Sequence, residues 1–443
     1  MASFFSIPSL LFLLIIVASL LVHASSSKPH QSLHLRRTRP VGFWVGLTHV
    51  DHGQNLTTVQ LIQRSIHRGR HRLERFRRVL ATTVPSNNMK APVSAGHGEY
   101  LMKFTIGSPA VPVSMIMDTG SDLIWTQCQP CTTCFAQPTP IFNPVKSFTF
   151  HIISCTSKYC QAMSTVTCDH RCKYLYTYGD QTSTQGFMAK DLFIFGHMVT
   201  THKIRFGCGG NNQGSGLGQG SGLVGLGRGP LSLVSQLGVD KFSYCLTSMG
   251  DSKILFGALS DQNETRGSTL STPLLQNPSQ PSLYYMSLQG ITVGETRLPI
   301  SQSTLQLNED GSGGMILDSG TTLTYLSGDA FTALAQEFAA QTKLQVSETP
   351  AAGLDLCFES PTNVLSNVAV PKLTLHFEGL DLELPKENYM ISDLATSGMV
   401  CLAMAPSSNG MSILGNLAQQ NFLVVNDLGK ETVSFNPTQC NKL

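Results

Sequence analysis

Two short runs in this chain each end an apolar stretch with an aspartate. The first is Met115-Ile116-Met117-Asp118-Thr119-Gly120-Ser121, and the second is Met315-Ile316-Leu317-Asp318-Ser319-Gly320-Thr321. An apolar run brings a carboxylate to the end of a buried strand, and the glycine permits a sharp turn after it. A single such aspartate is usually a turn residue bonding its own backbone. Two copies imply a paired site. Carboxylates within hydrogen-bond reach do not both ionise readily, so they share one proton. The ionised member takes a proton from water lying between them, and the protonated member donates to a carbonyl oxygen. That chemistry hydrolyses an amide directly, with no covalent enzyme intermediate and no metal required. Ser121 and Thr321, three residues after each aspartate, are spaced to bond the outer carboxylate oxygens and keep the pair coplanar. A glycosidase also uses two carboxylates, but holds them about 5 Å or more apart in unlike surroundings.

The elements that position these residues read as strands. The segment from Glu99 to Ile106 alternates and ends at Gly107-Ser108-Pro109. Similar short runs recur at Leu192–Phe195, Lys203–Phe206, Ile254–Phe256, Tyr284–Leu288, Lys372–Phe377, Phe422–Val425 and Thr432–Phe435. Helical spacing is rarer; Phe331, Leu334 and Phe338 share a face behind Ser327, a residue type suited to an N-cap. About a hundred residues after each aspartate comes an apolar run closing on glycine, Leu223-Val224-Gly225-Leu226-Gly227 and Ser412-Ile413-Leu414-Gly415-Asn416. A short helical pattern follows each, at Leu231–Leu237 and Leu417–Phe422. The chain therefore reads as mostly β and internally duplicated, with two related lobes at 91–275 and 276–443.

The 443 residues are 41% hydrophobic, and the net charge of +2 hides two unlike parts. Residues 25–90 carry 12 Lys or Arg against 2 Asp or Glu, giving +10; residues 91–443 carry 18 against 26, giving −8. Residues 1–24 resemble a secretion signal, with an apolar stretch Leu10–Leu21 and Val22-His23-Ala24 at the cleavage position, though without a basic start. No later run is long and apolar enough for a membrane anchor. The basic arm places Ile62, Ile66, Leu73, Phe76 and Leu80 on one helical face. It is either an amphipathic helix that needs a partner surface or a disordered linker. The polar stretch Thr82–Asn88 after it suits processing. Binding of nucleic acid is disfavoured because the positive charge leaves with the arm. All twelve cysteines follow residue 127. After a secretion signal they read as disulfides, the alternative for Cys128, Cys131 and Cys134 being a metal or iron–sulfur site. Asn55 and Asn263 begin glycosylation sequons.

These features together resemble the pepsin-like aspartic endopeptidases, specifically the nepenthesin type of plants. The resemblance rests on the two aspartate motifs, the run Asp122-Leu123-Ile124-Trp125, Tyr178-Gly179-Asp180, the two apolar-apolar-glycine runs, the cysteine-rich stretch Cys128–Cys172, Phe206-Gly207-Cys208-Gly209 and Phe242-Ser243-Tyr244-Cys245. It implies a bilobal pepsin-like acid protease fold with a central cleft for an extended peptide. Asp118 and Asp318 would be catalytic, supported by Thr119, Gly120, Ser121, Ser319, Gly320 and Thr321. Tyr178 and Gly179 would belong to a flap over the cleft, with Tyr178 paired to Trp125; without the other motifs Tyr178 reads as an ordinary cross-strand aromatic. Gln181-Thr182 stands where the family usually has Gly-Ser at the flap tip. The resemblance also suggests the pairs Cys128–Cys131, Cys134–Cys208, Cys155–Cys172, Cys160–Cys168, Cys245–Cys440 and Cys357–Cys401. Residues 25–90 would be a propeptide that neutralises the acidic body and is released on acidification. A secreted or vacuolar monomer without metal or cofactor is expected. The competing expectation is a catalytically silent inhibitor or binding protein of the same fold.

Overall fold

The computed structural model describes residues 42–81 and 100–443, apart from short segments at 179–181, 197–199, 215–219, 249–250, 262–270, 349–352, 361, 363–364, 394–397 and 408–409. The signal segment 1–24, the start of the basic arm, the processing stretch, Asn263 and the flap residue Gly179 lie outside the described residues, as do the side chains of Phe76 and Leu80. Asn55 is exposed in the turn before the arm helix.

Strands dominate, and they form the two-lobed fold that the duplication implies. In the first half, Val111–Asp118 runs antiparallel to Tyr100–Ile106 and parallel to Gly222–Gly225, with Gly225 opposite Asp118. In the second half, Met315–Leu317 runs parallel to Ser412–Leu414, with Leu317 opposite Leu414. Each aspartate-bearing strand is thus flanked by its own apolar-glycine strand. The halves meet where Lys241–Cys245 pairs antiparallel with Phe422–Asp427. Phe242, Tyr244 and Val424 on these strands have no exposed surface and join one large apolar core. The helix Gly328–Gln341 buries Phe331, Leu334 and Phe338; Ser327 occupies its N-cap, though its hydroxyl makes no cap bond. One expected helix is absent. Residues 416–419 form a turn, and Phe422 already begins a strand, because Asn421 takes a left-handed φ of 57° that ends any helical path.

The basic arm is ordered against the body over its described part, which corrects the linker alternative. The strand Phe43–His49 lies between two body strands, with Val45 opposite Ile254 and Leu47 opposite Met102. Its buried Phe43, Val45 and Leu47 alternate with the outward Trp44 and Gly46, the period of two that a half-covered strand requires. The helix Thr58–Ala81 places Ile62, Ile66 and Leu73 against Tyr285, Ile316, Leu323, Tyr325 and Ile413 of the second half. Burying three such side chains contributes several kcal/mol, at about 1.5–3 kcal/mol each. Gly69, unfavourable for an isolated helix, is needed here: a Cβ on it would lie 2.1 Å from the Tyr325 hydroxyl oxygen. Arg64 pairs with Asp51 at 3.2 Å and ties the helix to the turn that leads into it.

All twelve cysteines are paired, but four of the expected pairs are not the ones formed. Cys128–Cys131 and Cys134–Cys208 are replaced by Cys128–Cys208 and Cys131–Cys134. The strand Trp125–Gln127 runs parallel to Thr200–Gln213 with Thr126 opposite Cys208, and this register brings Cys128 beside Cys208. Cys155–Cys172 and Cys160–Cys168 are replaced by Cys155–Cys168 and Cys160–Cys172. Here burial decides: Cys160 and Cys172 point into the lobe core, while Cys155 and Cys168 lie toward solvent. Cys245–Cys440 and Cys357–Cys401 form as expected. Non-reducing peptide mapping should recover Cys128 joined to Cys208 and Cys160 joined to Cys172; a peptide linking Cys155 to Cys172 would contradict this fold. Gly69→Val should lower the melting temperature of the full-length chain in a thermal scan. Gly46→Ala should leave it nearly unchanged, since the nearest heavy atom to its added Cβ is 3.9 Å away.

Candidate active site

Asp118 is the last residue of its strand, and Asp318 directly follows Leu317. Both aspartates are fully buried. After each, the chain turns back under the glycine of the neighbouring strand. A Cβ on Gly225 would meet the Asp122 carbonyl carbon at 2.2 Å, and one on Gly415 would meet the Leu323 carbonyl oxygen at 2.2 Å. The repeated glycine is therefore a steric requirement of the turn, imposed once in each half. Backbone bonds fix the loops further: Leu226 N–H donates to the Asp118 carbonyl at 2.8 Å, and Asn416 N–H to the Thr321 carbonyl at 2.6 Å.

The donors around the two carboxylates match pairwise. Gly120 N–H donates to Asp118 Oδ1 at 2.9 Å, and Gly320 N–H to Asp318 Oδ1 at 3.0 Å. The Ser121 hydroxyl donates to Asp118 Oδ2, and the Thr321 hydroxyl to Asp318 Oδ2 at 2.6 Å. Each carboxylate is thus oriented by one amide and one hydroxyl.

The two turns are also bonded to each other. Ser319 N–H donates to Thr119 Oγ1 at 2.8 Å, and Thr119 N–H to Ser319 Oγ at 3.3 Å. The same hydroxyls reach strand carbonyls of the opposite half: Thr119 Oγ1 donates to Leu317 O at 3.2 Å, and Ser319 Oγ to Met117 O at 3.5 Å. The sequence placed Thr119 and Ser319 at the site through the motif, but this exchange between halves is a tertiary fact. Asn416 was not singled out; its side chain donates to Ser319 O at 2.9 Å. Its position directly after the repeated glycine was the available signal.

Tyr178 directly follows the strand Cys172–Thr177, which pairs antiparallel with Ser183–Phe195. Trp125 Nε1–H donates to its hydroxyl at 2.7 Å, and Tyr176 packs edge-on against it at 4.9 Å. A cavity of ≈ 420 Å³ opens beside Gly120, Ser121 and Asp122. Leu175, Tyr176 and Thr177 form one wall and residues Ser279 to Leu283 another, so the cavity lies between hairpin and interlobe connection. Gln280, which sequence reading missed, lines it. Among the described residues no group of three or more His, Cys, Asp or Glu is arranged to hold a metal ion.

Two buried aspartates on repeated, cross-bonded turns of a two-lobed β fold define the site of an aspartic-type endopeptidase. Comparison with known proteins agrees. Residues 100–258 match the family model described as xylanase inhibitor N-terminal, and residues 283–437 match xylanase inhibitor C-terminal. The chain is 49% identical over 440 residues to aspartic proteinase nepenthesin-1 of Nepenthes gracilis, covering 98% of this chain and 99% of that protein. It is 48% identical to nepenthesin-2 of the same plant over 431 residues, covering 96% and 97%. Among solved structures, basic 7S globulin from soybean superposes with a TM-score of 0.61 at 21% identity, covering 77% of this chain and 93% of that one, and so shares the fold. The chain belongs to the pepsin-like aspartic proteinase family, with the nepenthesins among its relatives. Thr119→Val should remove two of the four bonds between the turns, those made by the Thr119 hydroxyl. The expected result is a loss of stability of about 2 kcal/mol or more in denaturant unfolding, with a larger fall in kcat than rise in KM.

Proposed function

We propose that the chain is the precursor of a secreted or vacuolar monomeric endopeptidase that cleaves extended peptide segments in acid. The observation that carries this reading is the matched donor set on Asp118 and Asp318. Each carboxylate keeps one amide and one hydroxyl donor, as a pair sharing a proton across a bound water requires. The same completeness speaks for hydrolysis over a silent inhibitory role. Six disulfides suit an oxidising compartment. Among the described residues no helix is long and apolar enough to cross a membrane.

The arm supports the precursor reading. Its strand occupies a position inside the main sheet, and its helix covers Ile316 on the strand that leads to Asp318. Acidification protonates body carboxylates and reduces their attraction for the +10 arm, while apolar burial by the helix is unaffected by protons. Release is then favoured in acid and completed by cleavage in the stretch after Ala81.

Cleavage of a denatured protein should be strong near about pH 3–4 and should be blocked by pepstatin. Asp118→Asn should lose at least about a thousandfold in kcat. Equal cleavage by that variant, or none by matured wild-type protein, would sink the enzyme reading. Full activity at neutral pH with the arm still attached would refute the arm's inhibitory role.

A further inference from the structure

Two buried tyrosines connect to the catalytic turns through intermediate residues outside the aspartate motifs, each from the opposite half of the chain. Tyr244, on the first-half strand Lys241–Cys245, donates its hydroxyl to Gln419 Oε1 at 2.6 Å. Gln419 Nε2 donates to Leu414 O at 2.8 Å, and that carbonyl also accepts Asp318 N–H at 3.2 Å. Tyr284, at the start of the second half, donates its hydroxyl to Leu226 O at 2.6 Å. Leu226 N–H in turn donates to Asp118 O. Tyr244, Gln419 and Tyr284 have no exposed surface, and the ring of Phe242 lies 6.0 Å from that of Tyr284 and 6.4 Å from that of Tyr244.

We propose that Tyr244, Gln419 and Tyr284 are positioning residues for catalysis, forming a reciprocal brace in which each half of the chain sets the placement of the other half's catalytic turn. This rests on the endopeptidase reading.

The chemistry of the brace is directional. Leu414 O only accepts, so the Gln419 atom facing it is the amide nitrogen. The amide oxygen therefore faces Tyr244, which must donate. Burial pushes both phenols well above the usual tyrosine range; the Asp318 charge adds to this for Tyr244, as do Tyr284 beside it and, for Tyr284 itself, the Asp122 charge. Both remain neutral O–H donors throughout acid conditions. Without the Tyr244 hydroxyl the Gln419 amide loses the partner that fixes its orientation, and Leu414 O loses its guaranteed second donor. The support beneath Asp318 N–H then becomes variable. Because the outer oxygens of the aspartates are held by their own hydroxyls, the motif remains intact while its placement relative to the other turn loosens.

The test uses full-length protein matured in acid, with kcat, KM, melting temperature and pH–rate profile measured for each variant. Tyr244→Phe and Tyr284→Phe should each lower kcat by roughly tenfold, the worth of one oriented hydrogen bond, with KM within about twofold of wild type. Gln419→Glu gives the sharper readout. A protonated carboxyl reproduces both contacts, accepting from Tyr244 and donating to Leu414 O. An ionised one cannot donate and repels both that carbonyl and Asp318. Gln419→Glu should therefore keep near wild-type kcat at the acid end and lose it as pH rises through the titration of the new carboxyl, whereas Gln419→Leu should be impaired throughout. A pH profile for Gln419→Glu that superimposes on wild type overturns the brace, even if a tyrosine variant fails to fold. So do tyrosine variants with lower melting temperature but unchanged kcat. Wild-type protein without activity would instead refute the endopeptidase reading itself.

Discussion

Two buried carboxyl-bearing turns must be held together, and the four bonds exchanged by Thr119 and Ser319 are what hold them. Each hydroxyl accepts an amide N–H from the other turn and donates to a strand carbonyl beyond it. A buried donor left without a partner costs more than an ordinary hydrogen bond supplies, so the exchange is close to all-or-none. Either both turns are in place or several buried groups are orphaned together. The close glycines, the parallel flanking strands and the sheet joining the halves all serve to bring these two hydroxyls into register.

The sequence was most legible where the chain repeats itself. Asp118 and Asp318 could be read from their apolar runs because a strand end is a local property. Gly225 and Gly415 could be located but not explained, since the backbone they accommodate lies about a hundred residues away in the chain. The cysteines were least legible. Which of Cys131, Cys134 and Cys208 meets Cys128 depends on strand register, and which of Cys155 and Cys160 meets Cys172 depends on which side faces the core. Gly69 showed the limit of propensity: it weakens a helix in isolation and is required against Tyr325. Leu417–Phe422 failed for the complementary reason, as one positive φ outweighed a helical spacing of apolar residues.

The arm belongs to the same physical scheme as the body. Its strand satisfies backbone donors and acceptors of two neighbours, and its helix covers apolar side chains that a folded surface would not leave open. Charge asymmetry and the apolar helical face were the signals visible in the sequence. Most of the described attachment is instead strand pairing and apolar contact, which composition alone does not reveal.

The chain has only two tryptophans, and the fold assigns them to different structures. Trp44 sits partly exposed on the arm strand, while Trp125 is fully buried with its indole N–H bonded to Tyr178. Intrinsic fluorescence consequently has two separable sources. A body freed of its arm would keep Trp125 as its one tryptophan emitter, and that single indole reports directly on the tyrosine whose hydroxyl it bonds. The molecule thus carries its own optical gauge of the Trp125–Tyr178 contact, with no label attached.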